Sequence, residues 1–384
     1  MVHIILAASA VCGCLALLLV VVNLALTPRL SQAAGPAGPT PRVSVIIPAR
    51  NEERAIAAAV ESQLAQDYPN FEVLVVNDRS TDQTGAILEA LARQNPRLRI
   101  ISGADPGPGW LGKPHASWLG ARESSGEILL FVDADVRYHP LCLREAVAFL
   151  EGRSADFVAL LPRMEAEGFW ENVLMPYIIG AFFAGAGILA NVDRPRWVAA
   201  GGGAGNMIRR SAYESVGGHE ALKASVVDDV ALALRVKRSG LRVRVVRAED
   251  RVAVRMYRGF REVWDGFGKN VAYLFEGFTG ALLLLLTASW FAVNIMPPAF
   301  LLFALLGGKV SRLDLALAAC GTALPILARV VLAVAMGDPL WPSFTHSIMA
   351  AVWAGITCRS LIQRVVLKRL TWRGREFDAR AARF

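Results

Sequence analysis

The sequence has few cysteines, and their spacing excludes two kinds of site. Only five of the 384 residues are cysteine. Cys12, Cys14, Cys320 and Cys358 lie in apolar stretches, and Cys142 stands alone. Neither the ligand spacing of a zinc site nor a disulfide framework is present. The pattern is typical of a protein in a reducing compartment.

Positive charge is missing before the first apolar run. Residues 4–26 form an almost uninterrupted apolar stretch of 23 residues, and no Lys or Arg precedes it. A cleaved signal peptide normally has a shorter apolar core that follows positive charge. A run of this length can cross a hydrocarbon core of ~30 Å. Because Arg29, Arg42 and Arg50 follow it, we predict a retained anchor over residues 1–27, with the main domain on the cytoplasmic side of the inner membrane.

The sequence also lacks the glycine fingerprint of a dinucleotide-binding domain. No Gly-x-Gly-x-x-Gly follows the first β-branched run at residues 43–47, which disfavours a soluble Rossmann oxidoreductase. The net charge of +8 is no sign of nucleic-acid binding, because the basic residues lie near apolar segments and in the tail at 368–384. This arrangement favours attraction to anionic lipid headgroups.

An alternation of short apolar runs and helical patterns follows a Pro/Gly-rich linker at residues 28–41. We predict helices at 52–66, with Asn51 as N-cap, and at 84–94 and 114–124. The strands are predicted at residues 43–47, 71–76, 98–102 and 128–132. Such spacing indicates an α/β fold, with an open, mostly parallel sheet sandwiched by helices. We place this domain at residues 42–275.

Acidic residues follow three of the predicted strands. Glu52 comes after the first strand, Asp78 after the second, and Asp133 and Asp135 after the fourth. Any one of these carboxylates has a simpler explanation as a turn or cap residue. Ligands of open α/β sheets bind at the carboxyl ends of the strands, so three acidic groups at one edge predict a site. Two carboxylates one residue apart can share Mg²⁺ or Mn²⁺ bound to a diphosphate.

The ordered motifs resemble the family 2 glycosyltransferases with the GT-A fold. The resemblance covers residues 43–275 and includes the strand followed by Pro48-Ala-Arg-Asn-Glu52. It implies an inverting enzyme that uses a nucleoside diphosphate sugar, such as UDP-glucose. The donor site would then include Pro48, Arg50, Glu52, Asp78, Lys113 and Asp133, with Asp133 and Asp135 beside the metal.

The family's acceptor base matches the pair Asp228-Asp229. The resemblance implies that Asp229 removes the acceptor's proton, opposite the leaving diphosphate. Alternatively, both aspartates cap the helix predicted at residues 230–237.

Two neighbouring segments have open interpretations. Lys113, in a Gly-Lys motif, either balances phosphate charge or is a solvated surface lysine. The segment from Gly201 to Asn206 either lines the acceptor or diphosphate pocket or is a flexible turn.

The residues after the base bear on the acceptor. The Gln-x-x-Arg-Trp motif of processive polysaccharide synthases is missing, and Arg261 and Trp264 stand in its place. The string that contains them resembles the apocarotenoid glycosyltransferase group, typified by 4,4'-diaponeurosporenoate glycosyltransferase. A hopanoid-associated group is similar as well. Both imply an apolar lipid acceptor, with Asn206, Asp228, Arg261 and Trp264 as candidates for the acceptor or diphosphate site.

Apolar segments in the second half predict further membrane contact. Residues 173–190 are nearly charge-free and lie between Asp135 and Asp229, so a crossing there would separate two parts of one site. We therefore predict an interfacial or re-entrant segment, with a buried core helix as the alternative. Membrane helices are expected within residues 276–367, at 281–306 and 315–336, with a shorter one at 344–356. The alternative functions are an exopolysaccharide synthase and a catalytically silent nucleotide-sugar-binding membrane scaffold.

Overall fold

The computed structural model describes residues 1–33, 40–185, 187–274, 279–367, 369–372 and 375–378. The chain divides into two compact units. The helical unit comprises the described residues of Met1–Leu26, Ala166–Gly187 and Tyr257–Arg383. The sheet unit comprises those of Thr27–Glu165 and Ile188–Met256.

The elements are named in chain order. The helices are α1 (Val2–Leu26), α2 (Ile56–Leu64), α3 (Thr84–Gln94), α4 (Gly112–Glu123), α5 (Cys142–Gly152), α6 (Phe169–Leu174), α7 (Pro176–Ala184), α8 (Gly187–Ala190), α9 (Arg210–Ser215), α10 (Asp228–Arg238), α11 (Gly259–Leu274), α12 (Gly280–Leu305), α13 (Arg312–Met336) and α14 (His346–Leu361). The strands are β1 (Val43–Ala49), β2 (Phe71–Asn77), β3 (Leu98–Ser102), β4 (Ile128–Phe131), β5 (Val136–Tyr138), β6 (Phe157–Leu161), β7 (Arg163–Met164), β8 (Asn206–Arg209), β9 (Val243–Arg247), β10 (Val252–Val254), β11 (Arg369–Trp372) and β12 (Arg375–Asp378).

A seven-stranded sheet in the order β3-β2-β1-β4-β8-β6-β9 forms the centre of the sheet unit. The strands β3, β2, β1 and β4 run parallel, as do β6 and β9. The apolar runs of β1, β2 and β4 are buried, as expected of parallel strands covered on both faces. The predicted open, mostly parallel sheet is confirmed. Strands β6, β8 and β9 of this sheet were not predicted, and β8 pairs antiparallel with both β4 and β6.

The first helix after β1 begins later than the sequence predicts. It starts at Ile56, so Asn51 is not its N-cap. Asn51 has a positive φ of 52°, and its side-chain oxygen accepts a hydrogen bond from Thr81 N at 2.8 Å. Glu52 N donates to Thr84 Oγ1 at 2.8 Å. These bonds join the loops after β1 and β2, a long-range pairing that local helix signals do not encode.

Three helices of the helical unit, α1, α12 and α13, are long and apolar enough to cross a membrane, judged by length and composition. They match the predicted anchor and the segments predicted at residues 281–306 and 315–336. The third segment, predicted at 344–356, is the shorter helix α14 of 16 residues. The topology of these helices and the domain boundaries remain predictions.

The apolar segment at residues 173–190 lies partly in three short helices, α6, α7 and α8. The longest, α7, has nine residues and extends about 14 Å, too short to span a bilayer. Ile179 and Phe183 are 8% and 0% exposed, so at these two positions the structure agrees with the alternative of a buried core helix, and the interfacial placement of the segment stays a prediction. The carbonyl of Phe183 accepts a hydrogen bond from Asn23 Nδ2 of α1 at 2.7 Å. Packing within the helical unit buries Ile179 and Phe183. A uniformly apolar sequence does not indicate which of its residues are buried.

Two predicted segments, the linker and the basic tail, are described only in part. The linker predicted at 28–41 has residues 34–39 outside the described residues. Of the basic tail at 368–384, the structure describes only the strands β11 and β12, which pair in antiparallel orientation.

Candidate active site

A lysine in the first turn of α4 lies at the centre of the acidic residues. Lys113 Nζ is 2.8 Å from Asp133 Oδ1 and 3.8 Å from Asp228 Oδ1. Burial lowers the pKa of Lys113, but Asp133, Asp228 and Asp229 together raise it well above its usual value. The ammonium group therefore stays charged and offsets the carboxylates. Lys113 is part of a charged cluster and not an isolated surface lysine.

Asp228 is held by protein groups on two sides. It is 3% exposed and lies 3.5 Å from His219 Nε2 as well as near Lys113. Burial raises the pKa of Asp228, but Lys113 and then His219 hold it below the usual value. His219 is itself oriented by Tyr213, whose hydroxyl is 3.0 Å from His219 Nδ1 and accepts from His219 N. These contacts make Asp228 a fixed negative charge.

Asp229 has a different environment although it is the next residue. Burial raises the pKa of its carboxyl, as do the charges of Asp228 and Asp133, while Lys113 acts in the opposite direction. A carboxylate with a raised pKa is a better proton acceptor. Both aspartates lie in the first turn of α10, but neither is its N-cap, since that residue is Val227. They therefore also complement the helix dipole.

Asp135 shows where negative charge accumulates. Burial raises its pKa to about 8, and the charges of Asp133 and Glu52 contribute. A divalent cation between Asp133 and Asp135 would relieve this repulsion. Among the described residues there is no group of three or more His, Cys, Asp or Glu side chains that could hold a metal by themselves. Two carboxylates suffice for Mg²⁺ or Mn²⁺ when phosphate oxygens and water complete the shell, so the residues fit such a metal.

The glycine-rich segment before β8 packs directly against the aspartates. Gly203 O accepts a hydrogen bond from Asp133 N at 2.7 Å, and a Cβ at Gly203 would overlap the Asp133 carboxylate. A Cβ at Gly201 would overlap the backbone of Asp229. Asn206, predicted to contact acceptor or diphosphate, is only 2% exposed. Its amide donates to Asp229 O at 3.2 Å and accepts from Gly202 N at 3.1 Å, so Asn206 is a positioning residue.

The second acidic position, Asp78, lies between two arginines. Its Oδ1 accepts from Arg79 Nε at 2.9 Å and Nη2 at 2.7 Å, and its carbonyl accepts from Arg50 Nη1 at 2.8 Å. Pro48 is the sixth residue of β1 and is half-buried. An ideal Cβ at Gly112 would lie 2.7 Å from Asp78 Oδ2, so the start of α4 needs a glycine here. The loops after β1 and β2 thus meet at one edge of the sheet.

Comparison with known proteins agrees with this arrangement. Residues 44–217 match the family described as "Glycosyl transferase family 2". Over these residues the chain is similar to that family. It is 27% identical over 235 residues to the 4,4'-diaponeurosporenoate glycosyltransferase of Staphylococcus aureus (strain MRSA252), and the match covers 60% of each chain. The protein of that name from Staphylococcus haemolyticus is 26% identical, with 61% of this chain and 62% of the relative covered.

The fold of a solved glycosyltransferase is also similar. The mannosyltransferase PcManGT from Pyrobaculum calidifontis, solved in complex with GDP-Man and Mn²⁺, has a TM-score of 0.56 at 19% identity. The match covers 96% of this chain and all of that one.

Two groups in the glycosyltransferase domain were not predicted as site residues. His219 supports Asp228, and its signal was the Gly217-Gly-His motif that precedes the acidic pair. Arg79 binds Asp78 and also contacts Asp105, and it directly follows Asp78 in the sequence. Only the structure shows that Arg79 binds the carboxylate of Asp78 and that His219 lies beside the carboxylate of Asp228.

Arg261 and Trp264, the two remaining predicted site residues, lie on α11 in the helical unit. Arg261 is exposed. The ring of Trp264 stacks on Phe260 at 5.5 Å, and its backbone oxygen accepts from Arg359 Nη1 at 3.2 Å. Trp264 therefore packs α11 against α14, and its role toward the acceptor remains a prediction.

Proposed function

We propose that this protein is a membrane-bound inverting glycosyltransferase that transfers a sugar, such as glucose from UDP-glucose, to an apolar membrane lipid. The observation that carries the proposal is the contrast between two adjacent carboxylates. Asp228 is fixed by Lys113 and His219, whereas Asp229 has a raised pKa and no salt bridge to a described residue. Such a pair fits a charged scaffold beside a general base.

In the proposed reaction an acceptor oxygen attacks the anomeric carbon of the sugar. Asp229 takes the proton of the acceptor's hydroxyl or carboxyl group, the new carbon–oxygen bond forms, and the bond to the diphosphate breaks. Attack from the face opposite the leaving group inverts the anomeric centre. Lys113 places a permanent positive charge where negative charge grows on the diphosphate. Asn206 and the glycines before β8 hold Asp229 and Asp133 in position.

The donor would occupy the edge formed by β1, β2 and β4. Asp78, with Arg50 and Arg79 around it, would bind the nucleoside end. Asp133 and Asp135 would hold Mg²⁺ or Mn²⁺ beside the diphosphate. When bound, the metal supplies a Lewis acid that neutralises charge on the leaving group.

The long apolar helices and the names of the relatives support an apolar acceptor. Three helices have the length and composition of membrane spans. The chain covers 60% of the length of the curated relatives it matches, and those proteins are named for an apocarotenoid acid. An apocarotenoid or hopanoid lipid is therefore proposed as the acceptor class. We further propose a multi-pass protein of the inner membrane whose catalytic domain is cytoplasmic.

Purified full-length protein, incubated with labelled nucleotide sugars and a membrane-lipid extract, tests the proposal. We expect one sugar on a single lipid species, identified by mass, and no product from the matched Asp229→Asn variant. A long labelled polymer would instead identify an exopolysaccharide synthase. Nucleotide-sugar binding without transfer to any lipid would identify a silent scaffold.

A further inference from the structure

A cluster of buried polar groups lies inside the helical unit. Arg329 belongs to α13, and its Nη2 donates to Val173 O of α6 at 3.3 Å. Charged residues inside apolar helices are costly and normally have a partner. Among the described residues no carboxylate forms an ion pair with Arg329, and its buried Nη1 has no hydrogen-bond partner there.

Two further polar atoms without partners lie on α14. His346 and Trp353 are seven residues apart, two helical turns, so they share one face of the helix. His346 Nδ1 and Trp353 Nε1 are buried, and neither has a partner among the described residues. Trp353 is only 7% exposed. Leaving such a buried group unsatisfied is unfavourable, and a polar ligand bound among the three would satisfy them.

Contacts between helices bring these groups together. Tyr177 of α7 packs on Trp353 at 4.6 Å and on Trp290 of α12 at 5.9 Å, measured between ring centroids. One turn further along α12, Asn294 Oδ1 is 2.7 Å from His346 Nε2. The guanidinium of Arg329 is close enough to His346 for direct charge interaction. The cluster is thus built from five helices, α6, α7, α12, α13 and α14, of one unit.

The hydrogen-bonding pattern specifies the ligand. Asn294 Nδ2 donates to Trp290 O, which leaves its oxygen to accept from His346 Nε2–H. In the neutral ring Nδ1 is then an acceptor. Arg329 Nη1 and Trp353 Nε1 are donors. A ligand that satisfies all three carries acceptor oxygens for the two donors and a donor, such as a hydroxyl, for His346, and negative charge on those oxygens also compensates the charge of Arg329.

We propose that the helical unit binds the head group of an anionic phospholipid, with phosphate oxygens on Arg329 and Trp353 and a hydroxyl on His346. Arg329 lies seven residues before the end of α13, about 10 Å along the helix, within reach of a lipid head group at the membrane interface. The aromatic rings of Tyr177, Trp290 and Trp353 provide an amphipathic lining. This site is independent of the proposed glycosyl transfer.

Native mass spectrometry of the full-length protein titrated with lipid tests the site. We expect phosphatidylglycerol, which has both phosphate and hydroxyl, to bind more tightly than phosphatidylcholine, which lacks the hydroxyl and is zwitterionic. Arg329→Gln should weaken phosphatidylglycerol binding by about tenfold or more, as expected for a hydrogen bond to a charged group. Trp353→Phe removes only one N–H and should weaken it several-fold. Trp341→Phe, at an exposed tryptophan of the same unit outside the cluster, is the matched control and should bind normally.

Equal binding of the two lipids, or normal binding by Trp353→Phe, would overturn the proposal. Trp353→Phe keeps nearly the same volume, so it decides the question even if Arg329→Gln does not fold. A second experiment adds inorganic phosphate or glycerol phosphate as a competitor to the lipid-bound protein. If either displaces the lipid at equal concentration, the ligand is a free anion and the lipid assignment is wrong.

Discussion

Neutralising Asp229 and neutralising Asp228 should have different effects, although the two residues are adjacent. Asp229→Asn removes the proposed base, which we expect to lower kcat by about 10²–10⁴-fold, or about 2.7–5.5 kcal/mol of activation free energy. The affinity for the nucleotide sugar should remain, because the donor is held mainly at the ends of β1, β2 and β4.

Asp228→Asn instead removes the fixed negative charge beside Lys113 and His219. It removes the partner that Lys113 Nζ has at 3.8 Å and that His219 Nε2 has at 3.5 Å. Attraction across 3.8 Å is about 4 kcal/mol at an effective dielectric constant of about 20. Because the Lys113 side chain is 39% exposed, solvent reduces the net contribution to about 1 kcal/mol. We therefore expect lower thermal stability and a loss of activity of about tenfold.

The pH dependence separates the roles further. The base acts when deprotonated, so kcat/KM falls as the pH falls through the pKa of Asp229, which burial and then Asp228 and Asp133 raise. Asp228→Asn removes a negative neighbour, lowers that pKa, and should move the acid limb to lower pH. Lys113→Gln removes a cation that lowers the pKa and should move the limb to higher pH.

Steady-state rates of each variant across a pH series, with nucleotide binding by calorimetry as the control, measure these effects. Normal turnover by Asp229→Asn would refute the assignment of the base. Shifts of the acid limb in the same direction for Asp228→Asn and Lys113→Gln would refute the electrostatic reasoning.

Three further outcomes are expected. Chelation of divalent metal should abolish transfer, and Mg²⁺ or Mn²⁺ should restore it; full activity of metal-free protein would contradict this. Gly203→Ala should reduce transfer at least tenfold by displacing the Asp133 carboxylate, whereas Gly202→Ala, where a Cβ meets nothing within 4 Å, should be nearly neutral. Single cysteines at the exposed positions Ser154 and Ser211 should label from the same side of inverted vesicles, and labelling from opposite sides would disprove the one-pocket mechanism.

The four parallel strands β1 to β4 could be predicted because their signals are local. A buried parallel strand is a short β-branched run, and the spacing between runs allows only a helical crossover. Strand β3 was predicted at its observed bounds, residues 98–102. Strand β8 is antiparallel and follows a glycine-rich segment, so its place between β4 and β6 depends on pairing over long distances.

The identity of the acidic residues was predictable for the same reason, since each carboxylate directly follows a strand or begins a helix. The different roles of Asp228 and Asp229 could not be predicted. Asp228 differs from Asp229 through its contacts with Lys113, which comes from a distant part of the chain, and with His219. Asn206 looked like a ligand-binding side chain, but the structure uses both ends of its amide inside the protein.

The sequence by itself determined the strands β1 to β4, the order of the acidic motifs and the apolar helices, because propensity and hydrophobic pattern act over a few neighbouring residues. Only the tertiary structure decided which apolar faces are covered, as at Ile179 and Phe183, and which charges compensate one another. The physical reason is that burial and Coulomb interactions depend on distance in space, and residues far apart in the chain set both.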